Sequence, residues 1–250
     1  MATHNFLVTV ILAVKDPKPR LLDLCINSFA ALSNSNQIEF IVVASGDIPE
    51  ILPSQQKNFG KYKYINVDPL GVYSAYNEGV KLSSGKYILF FGVDDIALPG
   101  MDKIINQLKH SNCHMFACAC FMQNIGISKP SKYNISLLFR NWCHQGIFYL
   151  KNILEDHPYK IEYIVQADHE LNIYIASRND LVIDKSSEVI AYFSSGGLTS
   201  QYRDLKFRKD FPALISQSFG IHYGLLISFK LFLVDIFLGR PETRFKNNID

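Results

Sequence analysis

The most constraining stretch of the chain is Gly71–Pro99, GVYSAYNEGVKLSSGKYILFFGVDDIALP. Val72, Tyr76 and Val80 recur at helical spacing, with Asn77, Glu78 and Lys81 on other faces, so the stretch opens as a helix. Ser83, Ser84 and Gly85 stop that helix. Tyr87–Phe91 is a short apolar run, suited to a central strand buried on both faces. The strand empties into Gly92, Val93, Asp94 and Asp95. Carboxylates at the carboxyl end of a buried strand lie where open α/β sheets bind ligands. Adjacent acids repel, and a hard divalent cation such as Mg²⁺ or Mn²⁺, shared with phosphate oxygens, relieves that repulsion. An Asp ahead of a helix starting at Met101 also serves as an N-cap, and both readings fit these residues.

The flanking sequence repeats strand and helix. Phe6–Val14 is a continuous apolar run and reads as the first strand. After a polar loop from Lys15 to Pro19, Leu22, Cys25, Phe29 and Leu32 share one helical face. Ile38–Ala44 reads as the second strand, with Ser45, Gly46 and Asp47 leaving its carboxyl end, and Tyr62–Val67 as the third. Such alternation predicts a mostly parallel sheet with right-handed crossovers, the ends of the first, second and fourth strands forming one rim. Met101–Leu108 follows as a helix and Met115–Gln123 as a buried strand carrying Cys118 and Cys120 on one face. With Cys113 and His114 these cysteines lack zinc spacing and read as buried thiols. Val182–Phe193 reads as a final strand pair, closed by the glycine-containing loop Ser194–Thr199.

With 250 residues, 48% of them hydrophobic, the chain accommodates one sizeable α/β domain over 1–200 and an appendage over 201–250, but not two full domains. A net charge of +2 gives no argument for nucleic acid. Five cysteines without a regular framework point to reduced thiols in a cytosolic compartment. The first residues, MATHNFLVTVILAVKD, lack a basic start and a small-residue cleavage site, and read as a strand rather than a signal peptide.

Two later stretches carry further polar chemistry. Asn141–Tyr149, NWCHQGIFY, sets His144 and Gln145 ahead of a strand-like run. The stretch Tyr163–Tyr174, with Ile175 after it, places Ile164, Asp168, Leu171 and Ile175 at helical spacing. An ionisable Asp on an apolar helix face is costly without a partner or a task. An N-cap at Asp168 is the other reading, and a cap position also aims a carboxylate into a cleft.

GVYSAYNEGVKLSSGKYILFFGVDD resembles the central signature of the family 2 glycosyltransferases, enzymes of the GT-A fold, over roughly the first four-fifths of the chain. In them a Gly-Ile-Tyr-Asp-Ala-Met-Asn-x-Gly-like helix precedes a strand ending in an Asp-rich metal motif. Gly92 stands where many members have Asp or Asn, and Ser74 where a subset has Asp. The resemblance implies an α/β, Rossmann-like sheet flanked by helices. It also implies inverting transfer of a hexose-type sugar from a nucleotide-diphospho-sugar to a glycan or lipid-linked acceptor. By resemblance, Ala13, Val14, Lys15, Asp16, Asp47, Asn77 and Asp94 border the donor, and Asp95 with Asp94 holds Mn²⁺ or Mg²⁺. Asp168, in a segment similar to the family's Ala-Asp-Tyr-Glu-Leu, is the general base, and His144 and Gln145 border the acceptor. The loop after Phe193 resembles loops that close over the donor. A non-catalytic nucleotide-sugar-binding subunit is the rival reading. A nucleotidyltransferase fits less well, because no glycine-rich phosphate loop follows the first strand.

From Gln201 the character changes. Arg203, Lys206, Arg208 and Lys209 form a basic patch, followed by the apolar run Tyr223–Leu238 and then Arg240, Arg244 and Lys246. The run is shorter than a membrane span and holds Lys230 and Asp235. It reads either as an interfacial helix on an anionic membrane or as a helix packed on the catalytic domain or in a homodimer seam. The membrane reading places the protein in the cytoplasm, peripheral on the inner face of a bacterial membrane.

Overall fold

The computed structural model describes residues 6–15, 19–46, 58–194 and 202–238. Asp16, Asp47, Ser195–Thr199, Arg240, Arg244 and Lys246 lie outside the described residues.

The apolar runs form strands as their patterns dictate. β1 (Phe6–Val14) is followed by α1 (Pro19–Ala30), β2 (Ile38–Ser45) and β3 (Lys61–Val67). α2 (Val72–Leu82), β4 (Gly85–Phe91), β5 (Ile96–Ala97) and α3 (Gly100–Leu108) complete the first part. β6 (Met115–Met122) turns back into β7 (Gly126–Ser128). A 3-10 turn at His144–Gly146 then leads into β8 (Ile147–Leu150), α4 (Lys151–Asp156) and α5 (Ala167–Ala176). β9 (Ile183–Phe193), α6 (Leu205–Phe219) and α7 (Ile221–Leu238) close the described chain.

One sheet takes the order β3-β2-β1-β4-β8-β6-β9-β5, with β7 on β6. Its first four strands are parallel. Leu12 pairs with Phe91, so Lys15 and Asp94 each lie three residues beyond the same rung, on one rim. β8 is antiparallel to both β4 and β6. The expected strand pair over Val182–Phe193 is instead one strand. β9 runs parallel to β6 with two register irregularities, and its last residues also pair with β5. The irregularities let one strand bend between two partners where a hairpin was expected.

Apolar side chains on the two faces of the sheet form two clusters. One holds α1 and α3, with Cys113, Cys118 and Cys120 fully buried in it as free thiols. The other holds α2 and α5 and also takes in Phe207, Ile215 and Ile227 from the tail. Residues of the segment 202–238 are therefore built into the core of the preceding domain. Phe207 packs on His169 and edge-on to Tyr163. Asp204 caps α6 by accepting from Phe207 N–H at 3.0 Å, and accepts from Val165 N–H at 3.1 Å. The basic patch is partly neutralised: Lys206 pairs with Asp210, and Arg208 with Asp235 of α7.

Candidate active site

The site gathers where the parallel strands end. Gly71 precedes α2 with φ of 99°, a backbone region where only glycine is unstrained, and so turns the chain from the β3 end into the helix. α2 then runs beside the sheet and buries Tyr73, Ala75, Tyr76, Gly79 and Val80. The buried stripe is therefore Tyr73, Tyr76 and Val80, and Val72 lies only half-buried at its edge.

A cavity of about 380 Å³ opens on this rim. Ala13, Val14, Lys15 and Ser74 line it, together with Ile164 and Tyr202. Ser74 also borders a neighbouring open cavity of about 580 Å³, with Gly46, Asp68 and Glu78. Asn77 borders neither: its Nδ2 donates to Tyr159 O at 2.8 Å, and Tyr159 N–H donates back to Asn77 Oδ1 at 3.0 Å. That pairing anchors α2 to the segment around Tyr159.

At the end of β4 the two acids are unequal. Asp95 is 2% exposed. Its Oδ2 accepts from Gly92 N–H at 3.0 Å and from Gln145 Nε2 at 2.8 Å, and its Oδ1 from Ser194 N–H at 3.2 Å. Burial, with the Asp94 charge alongside, pushes the Asp95 carboxyl up to about 6 despite those three donors. Asp94 is half-exposed and has no hydrogen-bond or ion-pair partner among the described residues. Pro99 rather than either Asp stands at the N-cap of α3, so capping does not explain the pair.

Gly92 explains itself by close approach. A Cβ there would lie 2.8 Å from Asp95 Oδ2 and 3.1 Å from Asp94 Oδ1, so the missing side chain is what lets Asp95 fold back onto the Gly92 amide. The donor set fits a hard divalent ion, which characteristically takes one or two carboxylates and completes its shell with water and substrate phosphate. Asp94 offers free oxygens for this, and Asp95 retains a lone-pair site beyond its three donors. No group of three or more potential protein ligands forms among the described residues, so phosphate and water would have to supply the remaining ligands.

A third cavity, of about 170 Å³, is walled by Arg140, Asn141, His144, Gln145 and Asp168. Asp168 is 7% exposed and sits in the first turn of α5. It is not the N-cap: that position is Gln166, and Ile164 lies outside the helix and largely exposed. The carboxylate is held from two sides, Tyr73 OH donating to Oδ1 at 2.6 Å and Asn141 Nδ2 to Oδ2 at 2.6 Å. His144 Nδ1 stands 4.0 Å from Asp168 Oδ2. Burial holds the imidazole below its ordinary value, with Asp168 pulling the other way. The sequence reading did not single out Tyr73 or Asn141. The signal for Tyr73 was two tyrosines three residues apart on one short helix, and Asn141 opens the stretch that also holds His144.

A parallel half-sheet with a carboxylate pair at the end of β4, continued by an antiparallel half, is the architecture of the GT-A fold. The chain belongs to glycosyl transferase family 2, whose model matches residues 9–170. It is 30% identical over 219 residues to PGL/p-HBAD biosynthesis glycosyltransferases of Mycobacterium tuberculosis and Mycobacterium bovis, covering 83% of this chain and 84% of theirs. Among solved structures, S. aureus TarS 1-349 in complex with UDP-GlcNAc superposes with a TM-score of 0.69 at 13% identity, over 96% of this chain and 74% of that one. Mannosyltransferase PcManGT from Pyrobaculum calidifontis, in complex with GDP-Man and Mn²⁺, gives a TM-score of 0.59 at 13% identity, over 93% and 76%.

Proposed function

We propose that this glycosyltransferase moves a hexose from a nucleotide-diphospho-sugar to a hydroxyl of a glycan or lipid-linked acceptor, with inversion. The observation that carries the reading is the pairing of two sites: a free carboxylate, Asp94, on the donor rim, and a buried, oriented carboxylate, Asp168, on the wall of a separate small cavity. The donor lies along Ala13, Val14 and Lys15 beside Ser74, which line the cavity on the rim, and two structural relatives are in complex with nucleotide sugars.

Asp168 takes the proton of the acceptor hydroxyl as its oxygen bonds to the anomeric carbon. The bond from that carbon to the diphosphate breaks on the opposite face, and the nucleoside diphosphate leaves with the electron pair. Asp94, with Asp95, would hold Mn²⁺ or Mg²⁺, which when bound stabilises charge on the leaving diphosphate. His144, largely neutral at pH 7, and Gln145 border the acceptor.

Purified protein should show a rise in Tm with UDP-GlcNAc or GDP-Man in the presence of Mn²⁺; a ligand at a hundred times its Kd adds about 2.7 kcal/mol. Asp94→Asn should lose most of the Mn²⁺-dependent part. Asp168→Asn should keep the shift and lose turnover. Wild-type turnover in Asp168→Asn would refute the base, and a shift indifferent to Mn²⁺ would refute the metal.

No helix among the described residues is long and apolar enough to cross a membrane. α7 nevertheless exposes Leu225, Phe229, Phe232 and Ile236, which recur at helical spacing, together with Phe237. We place this stripe against the inner face of an anionic membrane, which would bring a lipid-linked acceptor to the enzyme.

A further inference from the structure

Asp168 stands at one end of a continuous chain of hydrogen bonds running into the core. Tyr149 OH, on β8, donates to Asn172 Oδ1 at 2.8 Å. Asn172 Nδ2, one turn along α5 from Asp168, donates to Asn141 Oδ1 at 2.8 Å. Asn141 Nδ2 donates to Asp168 Oδ2 at 2.6 Å, and its Oδ1 also accepts from Trp142 N–H at 2.9 Å, which fixes which way the amide faces. On the other side Tyr73 OH donates to Asp168 Oδ1. Tyr73 is itself locked among aromatic rings, its centroid 5.0 Å from Tyr159 and 6.4 Å from Tyr76. Tyr149 and Asn172 are fully buried, so the core end of the chain has no freedom to swing.

A carboxylate held at one oxygen alone can rotate about its terminal bond. Held at both, from two elements that approach it from different sides, it presents fixed lone pairs. Tyr73 also lines the donor cavity while Asp168 lines the acceptor cavity, so one side chain spans from the donor's wall to the acceptor's carboxylate.

We propose that Tyr73 and Asn141 are positioning residues that clamp Asp168 in the orientation needed to receive the acceptor proton, with Asn172 and Tyr149 bracing Asn141 from the core. This rests on Asp168 being the base. The clamp does not touch the reacting atoms. It keeps the carboxylate within the narrow range of distance and angle on which proton transfer depends, where a displacement of about 1 Å costs on the order of a hundredfold in rate.

Turnover is read as UDP release from UDP-GlcNAc and GDP release from GDP-Man in Mn²⁺, and Tm and donor affinity are measured alongside. Tyr73→Phe keeps the packed ring and removes the hydroxyl. It should lower kcat at least tenfold with donor KM unchanged and Tm lowered by a few degrees at most, and Asn141→Ala should lower kcat similarly. In the Asp168→Asn background Tyr73→Phe should cost nothing further, because residues acting as a unit are not additive. An equal loss in both backgrounds, or a wild-type kcat in Tyr73→Phe, overturns the clamp. Wild-type turnover in Asp168→Asn alone overturns the base beneath it. Crystal structures decide the matter without substrate: the Asp168 carboxylate should turn or split into two conformers in Tyr73→Phe, and an unmoved carboxylate overturns the proposal.

Discussion

Gln145 Nε2 donates to Asp95 Oδ2 at 2.8 Å, tying the turn ahead of β8 to the end of β4. Both side chains are buried, and the bond joins the cavity beside Asp168 to the carboxylate pair across 50 residues of sequence. Gln145→Leu removes the donor and leaves a charged oxygen short of a partner. A hydrogen bond to a buried charge contributes about 1.5–3 kcal/mol. For a chain of this size that corresponds to roughly 3–12 °C in Tm. Thermal unfolding checks it, and a Tm within a degree of wild type would show that Asp95 is satisfied without Gln145.

Restoring a side chain at the first place of the strand-end motif should harm this protein. Gly92→Ala and Gly92→Asp both put a Cβ against the Asp95 carboxylate and break the turn that Gly92 N–H closes. Both variants should lose the Mn²⁺-dependent rise in Tm with UDP-GlcNAc or GDP-Man, Gly92→Asp the more severely because it adds a third negative charge. A retained or enlarged rise would show that the Asp95 fold-back is dispensable.

Acid should unfold the α5 side of the molecule through Glu170. Burial raises the carboxyl, but His157 Nε2 at 3.1 Å and Lys160 Nζ at 2.8 Å outweigh it, and the net direction is down. A carboxylate whose folded value is depressed contributes stability above its unfolded value, about 4.3, and that contribution is lost as pH falls through the folded value. Wild type should therefore lose its Tm advantage over Glu170→Gln as pH drops below about 4.3, and keep it between pH 5 and 7. Parallel Tm curves for the two proteins would show that the pair adds nothing.

The tail needs a gentler test than truncation, because Phe207, Ile215 and Ile227 are part of the core. Replacing Leu225, Phe229, Phe232 and Ile236 together with Ser leaves the buried face of α7 and the Arg208–Asp235 pair intact. The variant should stay folded and release from vesicles containing anionic lipid, and high salt should weaken binding of the wild type. Unchanged sedimentation with such vesicles would assign the stripe to protein contacts instead, and a concentration-dependent loss of dimer in the same variant would identify a second copy.

The strands of the parallel half-sheet and the pair at the end of β4 are legible in the chain itself. A strand buried on both faces is apolar at nearly every position, which leaves a local signature in Phe6–Val14, Ile38–Ser45 and Gly85–Phe91, and a helix repeats its apolar residues near every fourth, as in Val72–Leu82. The start of α5 is not legible in that way. Spacing alone admits Ile164, but Val165 N–H is taken by Asp204, 39 residues later, and the helix begins only at Ala167. The same holds for Asp168: Tyr73 and Asn141 reach it across 95 and 27 residues, from elements whose own patterns report only burial. Periodicity records which face of an element is hidden from water. Which distant polar groups meet on that face depends on how the elements are set against one another, and only the tertiary structure decides that.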